Sequence, residues 1–288
     1  MKFLLVRLGH RYTFRDEERI FRFFGVVSCI IYSIILILPL YYIFVSSFKT
    51  NAEIFGGALS LPNNWTLLKF QEAEANALLA KSSMVSIIVT VCAEILTLIL
   101  AFPAAYAIAR IKSPLASYVS TFFSTGFLIP AFAMMVPIVV LISQLGLLYN
   151  PLALIIFYPA WRQPFTIIVL VSYFKQVPVE LEESAQIDGA SRLKILSWVY
   201  IPLVKPGVVT VVILNFISIW NEFLFALILL DQKSRTVQVA LSILKSERLT
   251  DYGMLSAGVL ITIVPIIIVF LFFQRQIIGG LYSGAVKG

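Results

Sequence analysis

The sequence predicts an all-α integral membrane protein of six transmembrane helices, with one long polar loop on its inner side. Three observations predict it. Of the 288 residues, 60% are hydrophobic and only 13% charged, with a mean hydropathy of +0.94; a soluble domain carries about 25% charged residues. The apolar runs are continuous and long enough to cross a bilayer, where a helix satisfies its own backbone groups and a closed β-barrel would need short segments of alternating polarity. Basic residues also concentrate on one side of the alternating runs, as counted below.

Residues 1–22 are a basic arm with Lys2, Arg7, Arg11, Arg15, Arg19 and Arg22. The apolar run after it is too long for the core of a cleavable signal peptide and lacks a small-residue cleavage site. Span 1 is expected at 24–46, followed by a polar outer segment containing Lys49 and Pro62-Asn63-Asn64-Trp65. Span 2 is expected at 84–109. Span 3, at 117–142, holds Pro130 and Pro137, read as kinks. Span 4 is interrupted by Trp161-Arg162-Gln163-Pro164. Its crossing part is therefore placed at 163–177, with 152–161 packed near the outer surface. Span 5 is expected at 207–230, with Trp220-Asn221-Glu222 inside it, and span 6 at 254–274. Residues 236–244 form a candidate outer amphipathic helix, with two readings: contact with a partner, or a cap on the bundle. The transmembrane domain is thus 23–280, and 281–288 are a Gly-rich cytoplasmic tail.

Orientation follows from the lysines and arginines. With the N-terminus inside, 14 of the 22 fall on the inner side and seven on the outer, with Arg162 left at the outer boundary. Both termini and residues 178–206 are then cytoplasmic. The formal charge of +7 is explained by this placement, so no nucleic-acid partner is implied. Cys29 and Cys92 lie inside apolar spans and suggest neither a disulfide framework nor a metal site.

The polar stretch 178–206 reads as two short helices. Pro178 suits a first helical turn, and Glu180, Glu182 and Glu183 suit a helix N-terminus. Asp188-Gly189 ends the first helix and Ser191 caps the second. Ile195, Leu196 and Val199 recur at near-helical spacing, and Pro202 and Pro206 punctuate the end. Within it stand Glu183-Ser184-Ala185, Asp188-Gly189-Ala190 and Ile201-Pro202-Leu203. This pattern resembles the coupling loop of ABC importer permeases, with Ser184 in place of an alanine and Ile201 in place of a leucine.

Further stretches extend the resemblance over essentially the whole chain, to the smaller six-span permease of carbohydrate importers of the maltose, multiple-sugar and glycerol-phosphate kind. They are Ser46-Ser47-Phe48-Lys49, Tyr106-Ala107-Ile108-Ala109-Arg110, Leu145-Gly146-Leu147, Pro164-Phe165, Trp220-Asn221-Glu222-Phe223 and the tail from Gly280. The resemblance implies a transport subunit without enzymatic activity, in a bacterial or archaeal cell membrane. Its partners would be a second permease subunit, two ATPase subunits and an extracytoplasmic solute-binding protein, with a sugar as cargo. The chain has no phosphate-binding loop, so no cofactor belongs to it: ATP and Mg would sit on the ATPase subunits. Carried over by position, Glu183, Ser184, Ala185, Asp188, Gly189, Ala190 and Pro202 are the ATPase-coupling residues.

Glu94, Arg162 and Glu222 lie within or near the hydrocarbon depth, where a charge is expensive and usually faces a cavity or a partner. With Trp220 and Asn221 they are the substrate-path candidates, since amides and carboxylates bond hydroxyls and aromatic faces stack on sugar rings. Helix packing is an equal reading for Glu222 and the preferred one for Glu94. For Arg162 the preferred reading is the outer interface, ahead of pairing with Glu222 or Glu94 or meeting an anionic substrate. An ABC permease for another polar solute, such as glycerol phosphate or a polyamine, is the alternative. An ion-driven secondary transporter is disfavoured by the loop and by the lack of paired, interrupted repeat helices. A membrane-embedded enzyme is disfavoured by the lack of any catalytic motif.

Overall fold

A computed structural model describes residues 14–111, 113–245 and 250–285. Most of the basic arm, Lys112, residues 246–249 and 286–288 lie outside the described residues. Every regular element among those described is helical. At the N-terminal end, α1 (Phe14–Ser46) contains Pro39 without a break and packs along the C-terminal helix. Two short helices follow, α2 (Asn51–Gly56) and α3 (Leu68–Ala77). Thr50 and Glu53 close a reciprocal capping box at the start of α2, which satisfies two otherwise orphaned donors. Between α3 and α4 (Leu79–Arg110), Leu78 takes a left-handed conformation and joins them with no longer loop.

The third apolar run is not one kinked helix. It is α5 (Pro114–Gly126) and α6 (Ala131–Gln144), set at 101° to one another. Pro130 is the cause: it lacks an N–H and disfavours helical geometry in Ile129, so the chain turns and α6 starts afresh. Pro137, well inside α6, leaves its helix continuous.

The fourth run corrects the expectation in the other direction. Instead of an outer piece and a crossing piece, α7 (Leu152–Phe174) is one helix through Pro159, Trp161-Arg162-Gln163 and Pro164. The polar residues do not end it, and neighbouring helices offer them hydrogen-bond partners. Gln163 Nε2, for example, donates to the Thr97 carbonyl at 3.0 Å. Helices α4 and α7 form the central pair of the bundle, packing Val89, Ala93, Phe157 and Tyr158 at one end and Ala101, Ala105, Leu170 and Phe174 at the other.

The polar stretch comprises α8 (Val179–Ile187), α9 (Arg192–Lys194), a wider π-helical segment over Ile195–Tyr200, and α10 (Ile201–Leu203). Ser191 caps α9 by accepting the Lys194 N–H, and Gly189, at φ 77°, supplies the left-handed residue that ends α8. After Leu203 the chain bends by 80° into α11 (Lys205–Trp220). The expected fifth span is also broken. Residues 221–223 are non-helical, and α12 (Leu224–Leu229) then runs to the α6–α7 turn, where the Tyr149 N–H meets the Leu229 carbonyl at 2.8 Å.

Beyond it, α13 (Val237–Ile243) buries Val237, Val239 and Ala240 against the bundle. The last helix, α14 (Tyr252–Ala285), extends past the expected end of span 6. Among the described residues, four helices are long and apolar enough to cross a membrane, and the two bent pairs bring the number to six if each counts as one crossing.

Candidate functional site

Residues 178–206 present one face outward. Glu183, Ser184, Asp188, Gly189 and Pro202 are exposed, Ala190 is half-buried, and Ala185 is half-buried against the core. Ser184 turns its hydroxyl back onto the Glu180 carbonyl at 2.7 Å. Around these residues Ile187, Leu193 and Trp198 are 86%, 74% and 80% exposed. Three large apolar side chains thus stand exposed on an otherwise polar stretch.

The inward face is held by a residue the motif does not single out. Glu182 is the buried residue of α8. Its Oε1 accepts the Tyr106 hydroxyl at 2.6 Å and its Oε2 accepts the Tyr200 hydroxyl at 2.6 Å. Arg110 Nε lies 3.7 Å from Oε2, an ion pair too long for a hydrogen bond. One Arg110 Nη donates to the Phe174 and Val177 carbonyls, which closes the C-terminal end of α7. The guanidinium also stands 5.0 Å over the Tyr200 ring. Burial first, and then the bond to Glu182, push the Tyr200 hydroxyl pKa well above its ordinary value, so it stays a donor. A glutamate three residues before a half-buried alanine, on the inward stripe of α8, was the available signal for Glu182.

Two of the membrane-depth candidates share one network. Arg162 Nε donates to Asn215 Oδ1 at 2.8 Å, and Asn215 Nδ2 donates to Thr166 Oγ1 at 3.0 Å and to Glu94 Oε1 at 3.5 Å. The second oxygen of Glu94 has no partner among the described residues. Arg162 is the eleventh of the 23 residues of α7, close to its middle rather than at the outer boundary. Its guanidinium packs over Trp161 and Phe165 at 5.6 and 4.9 Å. Asn215, which was not singled out, is fully buried and ties α4, α7 and α11 together.

The other three candidates lie apart from that network. Trp220 is buried, stacks on Phe216 and donates to the Thr262 carbonyl at 3.1 Å. Glu222 is buried with both oxygens engaged by Tyr158 and by the first N–H groups of α12. Asn221 is exposed and accepts a bond from Gln238 at 3.2 Å.

Comparison with known proteins agrees with this architecture. Residues 95–278 match a family model described as the binding-protein-dependent transport system inner membrane component. The chain is 33% identical to the diacetylchitobiose uptake system permease protein NgcG of Streptomyces coelicolor, over 94% of this chain and 91% of that protein. It is 31% identical to the trehalose/maltose transport system permease protein MalG of Thermococcus litoralis, over 94% and 99%. Among solved structures, it resembles a chain of a bacterial ABC transporter involved in the import of the acidic polysaccharide alginate. That match has a TM-score of 0.79 and 28% identity, and covers 93% of this chain and 100% of the other. The chain belongs to the family of inner-membrane components of binding-protein-dependent transport systems.

Proposed function

We propose that the chain is the permease subunit of an ATP-driven importer of a sugar or oligosaccharide, and that residues 178–206 receive the work of ATP hydrolysis from a separate ATPase chain. The observation that carries this reading is that Ile187, Leu193 and Trp198 stand exposed on the same stretch as the exposed motif residues Glu183, Asp188 and Gly189. Both termini and the loop would then lie on the cytoplasmic side, a reading supported by the distribution of basic residues and by an even number of crossings when each bent pair is counted once. The remaining partners are a second permease subunit, a second ATPase subunit and an extracytoplasmic solute-binding protein. Closure of the ATPases would drive the two permeases between inward- and outward-facing arrangements.

Sugar cargo is supported by relatives named for diacetylchitobiose and trehalose/maltose uptake. The path would pass Arg162, whose mid-helix guanidinium is only half-buried, with Glu94 held behind it by Asn215. Exposed Asn221 would stand at the opposite end of α11 from the loop. Trp220 and Glu222 are assigned to the packing of the bundle, because their polar atoms are already bonded within it.

The test is reconstitution of the complete transporter in proteoliposomes with ATP enclosed. Uptake of labelled diacetylchitobiose, maltose and an alginate oligosaccharide is measured with the cognate binding protein. Vanadate-sensitive uptake of at least one is expected. Uptake that persists in vanadate and collapses with an ionophore would overturn the reading in favour of a secondary transporter.

A further inference from the structure

The geometry points to Glu182 as the positioning residue through which movement of α8 reaches the membrane helices. This rests on the reading of 178–206 as the loop that receives the ATPase. Glu182 is the buried residue of α8, whereas Glu183 beside it is exposed. With so little apolar surface turned inward, α8 is held mainly by a polar clamp. That clamp joins four segments: α8 through Glu182, α4 through Tyr106 and Arg110, the end of α7 through the Phe174 and Val177 carbonyls, and the π-helical segment through Tyr200.

Two hydroxyls at 2.6 Å on a buried carboxylate are short, charge-assisted bonds. They leave Glu182 little freedom to move without its partners. Apolar contacts slide over one another; a carboxylate shared by two fixed phenols does not. A displacement of α8 is therefore delivered to the end of α4, which with α7 forms the central pair of the bundle.

The clamp also holds one unsatisfied donor. Arg110 Nε is buried without a hydrogen-bond partner, and Glu182 Oε2 is 3.7 Å away. A small turn of the carboxylate about its two phenol bonds would close that gap, giving the clamp a second arrangement in which Arg110 joins without either phenol letting go. An element that conveys a switch needs two such discrete arrangements. The π-helical winding that ends at Tyr200 is itself frequent at functional sites.

The experiment uses the complete transporter with its permease partner, ATPases and binding protein. Cys29 and Cys92 are replaced by alanine, and Asn221→Cys serves as a reporter for a membrane-impermeant maleimide. With Glu182 intact, Mg-ATP with vanadate is expected to change the labelling rate by at least about 5-fold, the low end of ordinary coupling. With Glu182→Gln the change is expected to fall below about 2-fold, while the ATPases still co-purify and hydrolyse ATP. The double variant Tyr106→Phe/Tyr200→Phe keeps both rings, removes both donors and is expected to behave alike. A full nucleotide-driven change in either variant would overturn the proposal. So would loss of ATPase association, since the clamp would then only shape the dock. If the parent transporter itself neither binds ATPase nor responds to nucleotide, it is the docking reading that fails, and the role of Glu182 with it.

Discussion

Tyr158 and Glu222 meet across α7 and the break between α11 and α12, hydroxyl to carboxylate, at 2.6 Å. The same carboxylate accepts the Phe225 N–H at 2.8 Å and the Ala226 N–H at 3.0 Å, so it anchors the start of α12 as well. Glu222→Ala would leave a buried phenol and two backbone donors unpaired, a loss of about 3 kcal/mol. A clear fall in the melting temperature of the detergent-solubilised chain is expected. Glu222→Gln keeps an acceptor and should lose roughly a third of that. An unchanged melting temperature with impaired uptake would instead return Glu222 to the substrate path.

The six apolar runs were legible because continuous hydrophobicity records burial in lipid and protein alike. Their breaks were not. Pro130 and Pro137 are the same residue type in the same run, yet one starts a new helix and the other sits inside one. Both prolines stand among apolar neighbours, Phe127-Leu128-Ile129 before one and Met134-Met135-Val136 before the other, so the local sequence does not tell a break from an interior position. Trp161-Arg162-Gln163 read as a boundary because local polarity cannot announce that Thr97 and Asn215 wait on other helices to satisfy it. At the loop, the motif marked the residues turned outward. Glu182, turned inward, became visible only once Tyr106 and Tyr200 were brought beside it.

Gly207 is a close-approach position. A Cβ there would lie 2.4 Å from Tyr173 Cγ and 2.5 Å from Cδ2, at the root of the ring rather than its mobile tip. Gly207→Ala must push α11 off α7 just beyond the 80° bend. A loss of about 1–3 kcal/mol is expected, typical of overpacking. Tyr173→Ala frees the space, so Gly207→Ala should cost little in that background. The coupling of the pair, measured by a double-mutant cycle of unfolding free energies, should reach about 1 kcal/mol or more. Additive losses would show that the ring yields freely.

Gly189 separates backbone strain from surface chemistry. It has φ 77°, yet a Cβ there would meet nothing within 4 Å. Alanine and aspartate both pay about 1 kcal/mol to occupy that conformation. Gly189→Ala and Gly189→Asp should therefore insert and fold to similar extents. Only the aspartate adds a charge to the face read as the ATPase dock, so it should uncouple uptake from ATP hydrolysis while alanine retains most of it. Normal uptake by Gly189→Asp would count against that face as the dock.

On the end of the bundle opposite the loop, Lys69 bridges Asp251 at 2.7 Å and Glu72 at 2.8 Å, and Asp251 also accepts the Met254 N–H at the start of α14. Burial works against the Asp251 carboxylate, but the Lys69 bond and that N–H outweigh it and hold its pKa below the ordinary value. Because the folded pKa is the lower one, the stabilisation is fully present above about pH 4, the unfolded value, and is lost as pH falls through the folded one. Lys69 has its pKa raised, burial opposing and the two carboxylates prevailing, so its share fades only as pH rises past the ordinary lysine range. Asp251 is a third exposed, and solvent screening limits the effect to about 1 kcal/mol. Melting temperatures of the parent chain and Asp251→Asn should thus differ at pH 6 and converge as the pH drops below 4. A gap that stays constant over that range would mean that the side chain's shape, and not its charge, secures α14 to α3.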